Sequence, residues 1–131
     1  IEPDDANTVA AALREAEEEI GIKPSQVQVL GELPPHESVT GFRIYPVIAK
    51  IEWPILLQIN PDEVSRVFTI PLEWLARKEN YEIREWRSPF GLREGVIFYK
   101  PYDGEQLWGI SARIMQDLLI TIGLLTSSRT G

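Results

Sequence analysis

Residues 14 to 22 read Arg-Glu-Ala-Glu-Glu-Glu-Ile-Gly-Ile, and the chemistry they offer is that of clustered carboxylates. On a helix turning about 100° per residue, Glu15, Glu18 and Glu19 fall within one arc of roughly 100°. Val9, Leu13, Ala16 and Ile20 form an adjacent apolar stripe, and Glu17 points elsewhere. Two carboxylates about 6 Å apart repel by roughly 3 kcal/mol at an effective dielectric of 20. The aligned peptide dipoles add to the cost, because each acid at a helix C-terminus loses about 0.3–1 kcal/mol. A hard divalent cation relieves both penalties, since Mg²⁺ and Mn²⁺ prefer carboxylate and water oxygens. The alternative is a solvated acidic face, the usual fate of a charge run. Against it stands the order of residues: Arg14, then Glu15, two adjacent acids three residues on, and Gly21 two residues later.

That order resembles the Nudix hydrolases, whose box is G-x5-E-x7-R-E-U-x-E-E-x-G-U with U apolar. Arg14, Glu15, Ala16, Glu18, Glu19, Gly21 and Ile22 match its second half at the right spacing. Ala6 stands where the box has its first Glu, with Asp5 one position off. Further along, Gly41-Phe42-Arg43-Ile44-Tyr45-Pro46-Val47, Asp62-Glu63-Val64 with Phe68 and Pro71-Leu72, and Leu107-Trp108-Gly109-Ile110-Ser111-Ala112-Arg113 resemble the coenzyme A diphosphatase-like branch. That branch's Phe-Pro-Gly-Gly signature lies upstream of the box and is not in this chain.

The resemblance implies an α/β fold, the Nudix α/β/α sandwich with a mixed sheet. It also implies metal-dependent cleavage of a diphosphate linkage in a nucleoside diphosphate derivative. Coenzyme A or acyl-CoA, cut to 3′,5′-ADP and a phosphopantetheine, is the substrate expected; ADP-ribose or a nucleotide sugar is the rival within the family. A non-catalytic Nudix-like binding domain is the rival outside enzymes, suggested by Ala6. The metal ligands expected are Glu15, Glu18 and Glu19 for Mg²⁺ or Mn²⁺. The catalytic candidates are Glu18, Arg14 as a brace for the carboxylates, and Glu63. Arg14 is four residues from Glu18 and can reach it along the helix. Glu63, on a loop, is a candidate base or additional ligand, with Glu18 an equal candidate base.

Other residues invite blander readings. Glu105 favours the start of the last helix. His36 is the single histidine, so it cannot build a His-rich metal site, and Pro-Pro-His-Glu-Ser reads as an exposed loop. Phe42, Tyr45 and Trp108 could stack on an adenine, but aromatics spaced this way are more often core. Arg43 suits a phosphate or solvent equally. No Gly-rich phosphate loop or Ser-His-Asp order competes with the acidic helix.

The elements that must position these residues follow from periodicity and punctuation. Asp4 or Asp5 caps a first helix that runs to Ile20 and stops at Gly21. Val27 to Leu30 reads as a strand, 34–38 as a loop, and 40–53 as a long extended segment with Phe42, Ile44, Val47, Ala49 and Ile51 apolar, interrupted by an edge or bulge at Pro46. Val64 to Ile70 reads as a strand and Leu72 to Arg77 as a short helix after Pro71. Residues 81–86 and 96–101 form a hairpin, with turn chemistry at 88–91 and 93–95, and Asp103-Gly104 closes it. From 107 to 125 the pattern is helical, with Ile110, Ile114, Leu118 and Leu119 on the buried side.

Composition bounds the reading. With 131 residues, 44% hydrophobic and 25% charged, the chain can hold one core, and a single soluble domain is expected. The domain expected is 1–125, N-terminally incomplete with strands missing, followed by a polar tail at 126–131. The absence of Cys excludes a thiol nucleophile, a Cys zinc site and a disulfide framework. A net charge of -7 argues against a general nucleic-acid surface, yet a metal can bridge acids to a phosphorylated small molecule. No signal peptide or membrane span is legible, so a cytoplasmic protein with a small-molecule substrate is expected. A homodimer is compatible with the reading.

Overall fold

Asn7 opens the first helix, α1 (Thr8–Ile20), by accepting a hydrogen bond from the Ala10 N–H at 2.8 Å. Gly21, at φ 78°, closes it in the left-handed conformation. The computed structural model describes residues 7–38 and 40–126. The expected caps Asp4 and Asp5, the variant box position Ala6 and the tail at 127–131 lie outside them. After α1 come β1 (Val27–Glu32), β2 (His36–Glu37), β3 (Arg43–Ile44), β4 (Val47–Ile51), α2 (Leu72–Ala76), β5 (Tyr81–Ser88), β6 (Gly91–Tyr99) and α3 (Gly109–Thr121). The class is α/β, as expected. The strands pair antiparallel in three two-stranded sheets, β1 with β4, β2 with β3 and β5 with β6. No parallel pair occurs among the described residues. The chain divides into two compact units, Ile1–Pro34 with Tyr45–Phe68, and Pro35–Ile44 with Thr69–Gly131.

In the first unit α1 packs against β4, which pairs with β1 across a bulge at Leu30. Ala11, Ile22 and Leu33 are its buried apolar side chains, whereas Val9, Leu13, Ala16 and Ile20 are only partly covered. The extended segment expected over 40–53 is broken at buried Pro46, which has no N–H to give a ladder. Its carbonyl accepts from the Leu33 N–H at 3.1 Å. Phe42, expected as an inward position, is 72% exposed. Val64 to Ile70 is not a strand: no neighbouring strand among the described residues pairs with it, and strand preference is realised only against a partner.

In the second unit the segment expected as a loop at 34–38 supplies β2, because Arg43 and Ile44 offer it a partner. The β5–β6 hairpin is longer than its pattern suggested. Pro89 and Phe90 make the turn, while residues 93–95 lie within β6, where Gly95 at φ 70° accommodates a bulge opposite Arg84 and Trp86. Asp103 and Gly104, at φ 50° and 79°, form the next tight turn between Tyr102 and Glu105.

The core of this unit is Leu75, Ile97, Tyr99, Ala112 and Leu119. Helix α3 buries Ala112, Gln116 and Leu119, and the expected Ile110, Ile114 and Leu118 are only partly covered. Apolar residues on several sides of α3 leave its rotation undetermined by pattern. A polar link selects it: the buried Tyr99 hydroxyl donates to the Leu75 carbonyl at 2.6 Å and accepts from Gln116 Nε2 at 3.2 Å. Trp74 stacks on Tyr99 with ring centroids 5.9 Å apart, and Tyr81 lies 5.2 Å from it on another side. Tyr99→Phe strands a buried carbonyl and a buried amide, so it is expected to lower unfolding free energy by about 1–3 kcal/mol, measured by urea titration.

Candidate active site

The acidic end of α1 is built by the loop that lies on it. The last carbonyls of a helix have no partner within it, and here residues 58–60 supply partners. The Gln58 N–H donates to the Ile20 carbonyl at 3.0 Å, and the Asn60 N–H to the Glu19 carbonyl at 2.8 Å. Gly21 donates back to the Glu17 carbonyl at 3.0 Å. A Cβ on Gly21 would stand 2.9 Å from both the backbone nitrogen and Cβ of Gln58. Glycine is therefore required there for its positive φ and for the close approach of a second backbone.

Asn60 then turns the chain. Its carbonyl accepts from the N–H groups of Glu63 and Val64 at 3.1 and 2.9 Å, and its side-chain oxygen accepts from the Asp62 N–H at 3.1 Å. The turn carries the Glu63 carboxyl back to within hydrogen-bonding reach of Glu19. The sequence singled out Glu63 but passed over Asn60, whose Asn-Pro pair marks a turn without saying what the turn rests on.

On the helix itself Arg14 Nη1 donates to Glu18 Oε2 at 3.1 Å, and Nη2 lies 3.9 Å from Glu15 Oε1. The Arg14–Glu18 pair is the i to i+4 contact that the spacing anticipated. Glu15 and Glu18 are exposed and Glu19 is half-buried. Burial raises the Glu19 pKa above its ordinary value, and the negative charges of Glu63, Glu15 and Glu18, with the hydrogen bond to Glu63, push it the same way. No basic residue occupies the last turn of α1.

Among the described residues no three His, Asp or Glu side chains are gathered closely enough to make a finished metal cage. The donor set nonetheless suits a hard divalent cation: four carboxylates share one field, and Glu19 is pushed toward its protonated form by burial first and by the other three after it. Glu105 is elsewhere, in the Tyr102–Glu105 turn of the second unit. His36 is not an exposed loop residue: its Nε2 lies 2.7 Å from Asp117 Oδ2, and both side chains are mostly buried. Phe42 and Tyr45 are exposed, while Trp108 stacks on Phe98 at 5.3 Å and meets Trp86 edge-on at 5.0 Å.

Comparison with known proteins gives the family. The profile of one family, the NUDIX domain, matches residues 1–90. Proteins named Nudix hydrolase NudL are similar over 125 residues: that of Shigella boydii serotype 4 is 39% identical, and those of Escherichia coli O1:K1 and K12 are 38% identical. The match covers 95% of this chain and 64% of each relative, so the chain spans about two thirds or less of their length. No described helix is long and apolar enough to cross a membrane.

Two outcomes test the construction of the site. Gly21→Ala should destabilise the protein by at least about 1–2 kcal/mol from the left-handed backbone alone, seen as a lower urea midpoint. For Glu19 the sign is fixed by its raised folded pKa: the folded state holds a proton that the unfolded chain releases near 4.5. Its contribution is thus intact below that pH and is lost as pH rises through the folded value. Glu19→Gln should therefore raise Tm at pH 7 in chelator, and this gain should vanish below about pH 4.

Proposed function

The chain belongs to the Nudix family, and from that premise we propose that it hydrolyses the diphosphate linkage of a nucleoside diphosphate derivative with Mg²⁺ or Mn²⁺. The observation that carries this reading is the convergence of Glu63 on Glu19, beside Glu15 and Glu18. Nudix hydrolases generally use such divalent ions. Glu15, Glu18 and Glu19 would hold the ion here. Once bound, it supplies neutralisation of the diphosphate oxygens and acidification of a water.

The remaining work falls to the chain's own side chains. Arg14 holds one oxygen of Glu18, and more loosely Glu15, in place along the helix. Gly21 and Asn60 hold the loop so that Glu63 stays at the acidic face. Glu63 takes the proton from the attacking water, because Glu18 already has an oxygen engaged by the guanidinium. Water attacks phosphorus in line with the departing phosphate oxygen.

Coenzyme A or an acyl derivative is the substrate we favour. Three segments support it: residues 41–47, those from Asp62 to Leu72, and 107–113, which resemble the coenzyme A diphosphatase-like branch. ADP-ribose or a nucleotide sugar is the alternative substrate, and a binding domain without turnover is the alternative role.

Incubating the chain with Mn²⁺ and either coenzyme A or ADP-ribose, and separating products by chromatography, distinguishes these. Release of 3′,5′-ADP from coenzyme A is expected. AMP from ADP-ribose alone would move the substrate assignment, and no turnover with either would leave the binding role. Glu19→Gln should lower kcat by about 100-fold or more. It should also abolish the rise in Tm that Mn²⁺ gives the unaltered chain; a rise of equal size in the variant would refute the ligand assignment.

A further inference from the structure

The second unit contains a cavity of about 520 Å³, lined by its own residues and within the range of small-molecule sites. Trp86 and Trp108 form an aromatic wall, packed edge-to-face at 5.0 Å. That wall is stiff. Trp108 lies parallel to Phe98 at 5.3 Å with an interplanar angle of 8°, and the Arg84 guanidinium covers Phe98 at 4.0 Å from its centroid.

The charge around the wall is arranged for a small anion. Arg93 and Arg113 both line the cavity. Neither has an ion-pair partner within 4.0 Å among the described residues. The first turn of α3, Gly109 to Ser111, lines it too. Unlike α1, this 13-residue helix has no side-chain cap, so its first N–H groups are left to another acceptor. His36 also lines the cavity, but Asp117 at 2.7 Å matches it. Glu37 and Glu94 are in the lining as well, which disfavours a polyanion and limits the complement to about one phosphate group.

We infer that this cavity binds a planar aromatic ring carrying a single phosphate, with the ring against Trp86 and Trp108 and the phosphate between Arg113, Arg93 and the start of α3. The site requires no divalent cation and does not rest on the diphosphatase reading.

AMP is a probe of this chemistry, and adenosine and inorganic phosphate are its two halves. Equilibrium dialysis in chelator, with tryptophan fluorescence recorded in parallel, should show saturable AMP binding with quenching. Each half should bind at least about tenfold more weakly. Arg113 is exposed, so Arg113→Gln leaves the fold intact, as circular dichroism would verify. It should weaken AMP about tenfold or more, as expected for one lost charge-assisted hydrogen bond. Glu19→Gln should bind AMP as the unaltered chain does, whatever its effect on turnover. The inference is overturned by absence of saturable AMP binding, by adenosine or phosphate binding as tightly as AMP, by unchanged affinity in Arg113→Gln, or by loss of binding in Glu19→Gln.

Discussion

The carbonyl end of α1 is the constraint on which the acidic site depends. A helix terminus exposes acceptors that water or another backbone must satisfy, and this protein uses the backbone of residues 58–60. That choice demands a residue without a side chain at Gly21, where the two backbones nearly touch. It also adds a fourth carboxylate to three already held at the unfavourable end of the helix dipole. The same contacts that complete the helix thus concentrate negative charge. Burial first, and then the charges of Glu63, Glu15 and Glu18, raise the Glu19 pKa there.

The second unit shows how a polar pair can orient an otherwise ambiguous helix. Leu119 and Ala112 bury apolar area as Ile110 or Leu118 would have done, so the hydrophobic effect alone leaves several rotations of α3 close in energy. Tyr99 cannot be buried with its hydroxyl unpaired, and it finds the Leu75 carbonyl and the Gln116 amide. Burying Gln116 fixes the rotation. The cost of leaving the partner unsatisfied is larger than the difference between one aliphatic side chain and another.

Several elements were legible because their signals are local. Gly21 ending the first helix, the 72–76 helix after Pro71, the β5–β6 hairpin and the Asp103-Gly104 turn each follow from a backbone preference confined to a few residues. The failures share a different cause. Val64 to Ile70 had strand-like residues but no partner, His36 and Glu37 had loop-like neighbours but a partner in Arg43 and Ile44, and His36 met Asp117 across 81 positions. Pairing decided each of these, and pairing is not written in a single segment.

Residues three and four apart on one helix meet whatever the rest of the chain does, so the acidic arc of Glu15, Glu18 and Glu19, the reach of Arg14 to Glu18, and the family are written in local spacing. Long-range contact is what brings Glu63, from a loop 44 positions beyond Glu19, to that arc, through the turn at Asn60. It alone also placed Trp86, Trp108, Arg93 and Arg113 around one cavity. The reason is the same in both cases: helical spacing is a property of adjacent peptides, whereas contact between distant segments is set by which buried polar groups and close backbone approaches the whole fold can satisfy.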